Sequence, residues 1–169
     1  MLKDQSIIEQ LGPEAVDGPN TAKTEDTANT HSSTCEWESV HPPNLGPPAN
    51  GKITVSIRVS LDENGTPDPR AAAESFRMDA RGNEIADGPG DSVGDQSRNA
   101  FEPGPKQPGV PSAGQVATID YVRANAYVTV EFRAWGSVGL SKAYLPEDDQ
   151  AETTRRLANE VSDKLGEPR

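Results

Sequence analysis

Three side chains that could bind a metal lie close together in the sequence: His31, Cys35 and His41. Imidazole nitrogen and thiolate sulfur suit zinc, but a structural zinc site uses four ligands, and the spacing of these three fits no finger or ribbon. The chain has no other histidine, so a serine–histidine–aspartate triad would need one of these two, and no Gly-x-Ser-x-Gly elbow accompanies them. We therefore expect no metal, no cofactor and no catalytic residue.

A second arrangement with oxygen ligands lies at residues 62–68, where Asp62, Asn64, Thr66 and Asp68 occupy alternate positions. A calcium loop would follow this start with Glu at its twelfth position, which here is Ala73, and prolines interrupt the loop. The pattern predicts a turn followed by a helix cap. Gly88-Pro89-Gly90 lacks the lysine that follows a phosphate-binding loop.

Two tryptophans, Trp37 and Trp135, each end an apolar strand pattern. Packing in the core or at its rim is the first expectation for such residues, and a surface for a ligand or a partner is the alternative. Cys35 is the single cysteine, so the chain has no internal disulfide.

Composition limits the classes of partner. The 169 residues include 16 Lys+Arg and 27 Asp+Glu, a formal net charge of −11, and mean hydropathy is −0.71. An acidic chain repels phosphate backbones and anionic lipids, so we expect no nucleic acid among its partners. Its apolar stretches are only a few residues long, against roughly 20 for a membrane span, so we expect no membrane insertion.

Apolar residues follow strand and helix periods in a few segments. Alternation from Ile53 to Leu61 predicts a half-exposed antiparallel strand, and Cys35 to Ser39 predicts a short one. Val116 to Val122 and Ala126 to Trp135 predict a hairpin, in whose turn Asn125 takes the positive φ. Helical spacing predicts three helices, at residues 4–11, 70–78 and 146–165.

These elements predict a single domain over residues 1–169. The fold class is α+β: an antiparallel sheet of about four strands, with N-terminal, middle and C-terminal helices packed on one face. Residues 14–34 and 81–114 are polar or rich in Gly and Pro, so we expect them to be mobile loops.

The order of elements resembles the small extracytoplasmic lipoprotein domains of unknown function that are common in actinobacteria, which are related in style to sensor ectodomains. The shared features are an opening helix that ends in Leu11-Gly12, Cys35-Glu36-Trp37, the strand from Ile53 to Leu61, Val93-Gly94-Asp95 and the turn Arg123-Ala124-Asn125. The resemblance implies a cell-envelope or secreted location. In that family, a cysteine before the first helix pairs with the one in Cys-x-Trp. We therefore expect Cys35 to have a partner encoded upstream of Met1.

On this basis we expect a non-catalytic, lipoprotein-like envelope module that binds a small ligand or a partner protein. The alternative is a cytoplasmic or phage-encoded structural or accessory protein that assembles through its sheet edge or its C-terminal helix.

Overall fold

The structure, a computed structural model, describes residues 21–40, 50–79, 85–87, 93–102, 116–138, 141–144 and 147–166. These residues form one antiparallel sheet and two helices. The strands are β1 (Thr21–Asp26), β2 (Thr30–Val40), β3 (Asn50–Ser60), β4 (Ile85–Asp87), β5 (Gln96–Glu102), β6 (Val116–Arg123), β7 (Ala126–Val138) and β8 (Ser141–Tyr144), and the helices are α1 (Pro69–Met78) and α2 (Glu147–Gly166). No helix among the described residues is long and apolar enough to cross a membrane.

The strand order is β1-β2-β3-β7-β6-β5-β4, and β8 pairs with the far end of β7. All pairings are antiparallel, which places residues in straight rows across the sheet. Because successive side chains of a strand point to opposite faces, each row belongs to one face. The row Val55, Val130 and Ile119 lies on what we call the α2 face, and the row Ser56, Thr129 and Asp120 lies on the α1 face.

The α2 face carries the main core. Acidic side chains occupy the first turn of α2 and Lys164 its last, which complements the helix dipole. Leu157 and Ala158 of α2 are buried where the helix lies against β6 and β7, and they form one apolar cluster with side chains of β3, β6 and β7. Burial of a large apolar side chain stabilises a fold by about 1.5–3 kcal/mol. This cluster is therefore the main source of stability for the sheet.

Helix α1 packs on the opposite face. Asp68 caps it by accepting a hydrogen bond from the Ala71 N–H, and Pro69 occupies the first turn. Ala72 and Phe76 form a second apolar cluster with Val122 of β6 and Tyr127 of β7. Strand β6 is therefore buried on both faces, because a helix lies over each of them.

The predicted fold class is wrong in its strand count and in the placement of its helices. The described residues form eight strands of one sheet rather than about four, and α1 and α2 lie on opposite faces rather than on one. The predicted helix at residues 4–11 lies outside the described residues. The difference arises because strands β1, β4 and β5 are polar or short and carry little apolar periodicity, so composition alone indicated loops.

Parts of the two predicted loop segments form strands. Residues 21–34 contain β1 and the first part of β2, and residues 81–114 contain β4 and β5. The strand predicted at Cys35 to Ser39 is the second half of the longer β2. These segments form strands because they hydrogen-bond to a neighbouring strand, and not because their apolar residues alternate.

The strand from Ile53, the hairpin of β6 and β7, α1 and α2 occur where periodicity predicts them. The hairpin turn differs in one detail: Ala124, and not Asn125, has the positive φ, at 50°. The Ala124 N–H donates to Asp95 Oδ2 at 2.7 Å, and Asn125 Nδ2 donates to the Ser60 carbonyl at 3.0 Å. These two bonds fix the turn.

Candidate functional site

A row of polar side chains crosses the α1 face of the sheet. Register places Lys23, Thr34, Ser56, Thr129, Asp120 and Arg98 side by side on six adjoining strands. Neighbouring strands lie about 4.8 Å apart, so side chains in this row are within reach of one another. The row is exposed at Lys23 and buried at Arg98.

The exposed half of this row lines a groove. Its cavity has a volume of about 390 Å³, and its walls come from β1, β2, β3 and β7. Half of its lining residues carry a hydroxyl group: Ser32, Thr34, Ser56, Tyr127 and Thr129. The remaining polar lining is charged and comes from Lys23, Glu25, Arg58 and Glu131. We call this cavity the hydroxyl groove.

Hydrogen bonds hold the groove hydroxyls in place. Thr34 Oγ1 and Ser56 Oγ lie 3.0 Å apart across β2 and β3. Ser32 Oγ donates to the Glu25 carbonyl at 3.0 Å, and Thr129 Oγ1 donates to Asp120 Oδ1 at 2.6 Å. A hydroxyl oxygen that donates its proton to a fixed neighbour keeps lone pairs for a ligand. The groove is thus a preorganised polar surface.

The buried half of the row is an ion pair between Arg98 and Asp120. Arg98 Nε donates to Asp120 Oδ2 at 3.1 Å, Nη1 donates to the Phe76 carbonyl at 2.9 Å, and Nη2 donates to the Tyr127 hydroxyl at 3.3 Å. The Arg98 Cζ also lies 4.7 Å from the centre of the Phe76 ring, within cation–π distance. One guanidinium therefore joins β5, β6, β7 and the end of α1.

The Tyr127 hydroxyl connects this ion pair to the groove. It accepts from Arg98, donates to Asp79 Oδ2 at 3.0 Å just after α1, and lies in the groove lining. Burial raises the pKa of Tyr127 above its usual value, and the Arg98 hydrogen bond opposes this rise. Burial alone would lower the pKa of Arg98, but its bonds to Tyr127 and Asp120 and the Asp120 charge raise it overall. The network is therefore charged at Arg98 and neutral at Tyr127 at neutral pH.

Two cations of the groove lack an ion-pair partner within the described ranges. Lys23 lies at the β1 end of the groove and Arg58 on β3, and neither side chain contacts a carboxylate there, whereas Lys52 beyond the groove pairs with Glu36 at 3.0 Å. A chain with a net charge of −11 has many carboxylates with which to neutralise them. Both cations are exposed, and the groove lining also holds the carboxylates of Glu25 and Glu131. Lys23 and Arg58 are therefore the side chains of the groove that can give a charge-assisted hydrogen bond to an anionic group.

A second cavity, of about 800 Å³, lies on the α2 face between β5, β6 and the first half of α2. Its lining includes apolar side chains such as Phe101 and Ile119. Two charged side chains of α2 also line it: Glu147 at the start of the helix and Arg155 about two turns later. Thr154 Oγ1 is turned back to the Gln150 carbonyl of its own helix, at 2.6 Å. Asn99 and Thr118 complete its polar lining.

The predicted site residues lie elsewhere. Trp37 is half-buried against the main core on the α2 face, and its Nε1 has no hydrogen-bond partner among the described residues. Cys35 is a free, half-buried thiol on the same face, two residues before Trp37. The backbone of Trp135 pairs with Asn50, while its side chain lies outside the described residues. The surface built from both tryptophans stays a prediction.

The metal-binding residues considered from the sequence are not assembled in the described ranges. His31 Nδ1 lies 2.8 Å from Asp26 Oδ1, in a pair across β1 and β2, and His41 lies outside the described residues. Within those ranges, no group of three or more His, Cys, Asp or Glu side chains is placed to hold a metal ion. Asp62 accepts hydrogen bonds from the Thr66 and Asn64 N–H groups at 2.8 Å, which lower the pKa of Asp62 and close the predicted turn.

Sequence reasoning missed the residues of the row. Asp120 carries a signal, because a carboxylate in the middle of the apolar strand Val116 to Val122 must find a partner if both faces are buried. Arg98 carries none, since it lies in a segment rich in Gly and Pro. Ser56 and Arg58 occupy the polar side of an alternating strand, where solvent contact is the ordinary expectation.

No family model, curated protein or solved structure matches this chain.

Proposed function

We propose that this protein is a non-catalytic binding module that holds a small polar ligand, bearing an anionic group, in the hydroxyl groove. The observation that carries the proposal is the pair of unmatched cations, Lys23 and Arg58, beside a set of fixed hydroxyl groups. A cationic side chain supplies the charge-assisted hydrogen bonds that an anion needs. Hydroxyl oxygens supply the remaining acceptors and donors.

Binding rather than catalysis fits the chemistry of the groove. The hydroxyls of Thr129 and Tyr127 donate to Asp120 and Asp79, so their protons are held in structural bonds. Asp120 is also engaged by Arg98, which makes it a poor general base. A rigid polar surface of this kind lowers the entropy cost of binding, because its side chains are ordered before the ligand arrives.

The test is a titration of the isotopically labelled protein with glutamate, citrate, a dipeptide and glucose, followed by amide chemical shifts. We expect the anionic compounds to shift the resonances of Thr34, Ser56 and Thr129, and glucose to shift them less. Arg58→Gln should weaken binding about tenfold or more, since it removes a charge-assisted contact. The matched control is Arg155→Gln, which lies beside the cavity on the α2 face.

Two results would count against this function. One is that none of the anionic probes shifts the groove resonances more than glucose does. The other is that Arg58→Gln and Arg155→Gln change the affinity equally, because binding would then follow net charge rather than the groove.

We further propose, on the sequence resemblance, that the module works in the cell envelope. Fractionation of the source cells with an antibody to the protein tests this location. Recovery only with the cytosolic fraction would favour the alternative of an intracellular accessory protein.

A further inference from the structure

Strand β1 has a free side in the described part of the chain. It is the first strand of the sheet, paired only with β2 there, and its described side chains from Ala22 to Asp26 are all exposed. An edge strand presents a row of unpaired N–H and C=O groups to any strand that can pair with it.

The turn between β1 and β2 fixes which residues present those groups. The Thr27 N–H donates to the Thr30 carbonyl at 2.8 Å, so these two residues form a hydrogen-bonded pair. Such pairs alternate along an antiparallel ladder. Glu25 and Lys23 therefore bond inward to β2, while the N–H and C=O groups of Ala22, Thr24 and Asp26 point outward.

A second copy of β1 can pair with this edge in only a few symmetric registers. A register centred on Lys23 or on Glu25 places like charges directly opposite each other, which is repulsive. A register centred on Thr24 places Lys23 of each copy opposite Glu25 of the other, and aligns the outward groups of Ala22, Thr24 and Asp26. This centre pairs the whole of Ala22 to Asp26 and satisfies both the hydrogen bonds and the charges.

We propose that two copies of this chain pair antiparallel along β1, in the register centred on Thr24, to form one continuous sheet. The contact is isologous, so one cross-strand ion pair between Lys23 and Glu25 occurs twice. It lies on the α1 face and extends the β1 wall of the hydroxyl groove with the second copy's strand. In the dimer Lys23 is paired with Glu25 of the other copy, so Arg58 is the groove cation left for the anionic group of a ligand. The pairing itself rests on the edge and holds whether or not the groove binds a ligand.

Sedimentation velocity over a range of protein concentrations tests the pairing. The wild type should associate reversibly into a dimer, and added salt should weaken the association. Lys23→Glu and Glu25→Lys each convert both ion pairs into repulsive pairs, so each should weaken the dimer about tenfold or more. The double variant K23E/E25K restores opposite charges in the same register and should recover the dimer.

A mixing experiment sharpens the result. The Lys23→Glu chain and the Glu25→Lys chain should each remain mostly monomeric alone and should form a mixed dimer when combined. Arg77→Glu, on exposed α1, changes the net charge as Lys23→Glu does and serves as the control for charge alone. Thr24→Pro removes an outward N–H and should abolish the dimer while circular dichroism shows the fold retained.

The proposal is overturned if the wild type stays monomeric at every concentration. It is equally overturned if a dimer forms but K23E, E25K and Arg77→Glu affect it alike, since the contact would then lie elsewhere.

Discussion

The Arg98 guanidinium and the Asp120 carboxylate meet across adjoining strands, with Arg98 Nε 3.1 Å from Asp120 Oδ2 and both side chains almost fully buried. The same guanidinium bonds to the last turn of α1. This pair therefore joins the helix to the sheet and fixes the inner end of the polar row.

Removal of either charge of this pair should be strongly destabilising. Arg98→Met or Asp120→Asn leaves the other partner buried without its counter-charge, which costs about 3–5 kcal/mol. The double variant R98M/D120N should lose less than the sum of the two. Urea denaturation measures all three. The exposed pair Arg70–Glu74 provides the control, and Arg70→Met should change stability little. Additive losses for Arg98 and Asp120 would show that the two side chains do not act as a pair.

Gly65 and Gly94, the two glycines with positive φ in the described part of the chain, should respond differently to a methyl group. A Cβ at Gly94 would clash with the Val122 carbonyl oxygen and lie 2.9 Å from the Tyr121 ring, whereas at Gly65 it would meet nothing within 4 Å. Gly65→Ala should cost about 1 kcal/mol from its backbone conformation alone. Gly94→Ala should cost about 3 kcal/mol, since a clash is added. Equal midpoints in thermal unfolding would contradict this account.

Ala124 holds a positive φ at which an L side chain is strained. Ala124→Gly should therefore stabilise the protein by about 1 kcal/mol, measured as a higher urea midpoint with an unchanged slope. Asn125→Ala, which removes the hydrogen bond to the Ser60 carbonyl, should lower the urea midpoint. A lower midpoint for Ala124→Gly would mean that chain entropy outweighs the relief of strain.

The Tyr121 hydroxyl is buried, and no residue of the described ranges bonds to it. Tyr121→Phe should raise stability by about 1 kcal/mol at neutral pH, because it removes an unsatisfied polar group. Tyr127→Phe is the matched comparison and should lower stability, since that hydroxyl bonds to Arg98 and Asp79. If both variants shift the urea midpoint in the same direction, the hydrogen bonds of the Tyr127 hydroxyl do not make its contribution to stability different from that of the Tyr121 hydroxyl.

Stability should fall at alkaline pH. Burial raises the pKa of Tyr121 and of Tyr127 above the ordinary value of 10.0, so the folded state holds these protons after the unfolded state releases them. Stability is therefore fully present below pH 10 and declines as the pH rises toward the folded pKa values. Tyr121→Phe should flatten this decline in a series of unfolding curves. If the stability of the wild type and of Tyr121→Phe fell equally steeply above pH 10, the burial of the Tyr121 hydroxyl would not be the cause of the decline.

The sequence by itself determined the helices and strands that are stabilised by their own apolar pattern. β3, the β6–β7 hairpin, α1 with its Asp68 cap and α2 follow from periodicity and from turn residues, because those signals reside within each segment. They indicated a core. These signals did not indicate how many further strands extend the sheet, because β1 and β5 become strands by pairing with a neighbouring strand.

Only the tertiary structure decided the site. Arg98 and Asp120 are 22 residues apart, and Thr34 and Ser56 are equally distant. Register alone brings Lys23, Thr34, Ser56, Thr129, Asp120 and Arg98 into one row. The helices lie on opposite faces because β6 and the β6–β7 hairpin carry buried side chains on both sides, and burial on both faces is a property of the assembled sheet rather than of any one strand.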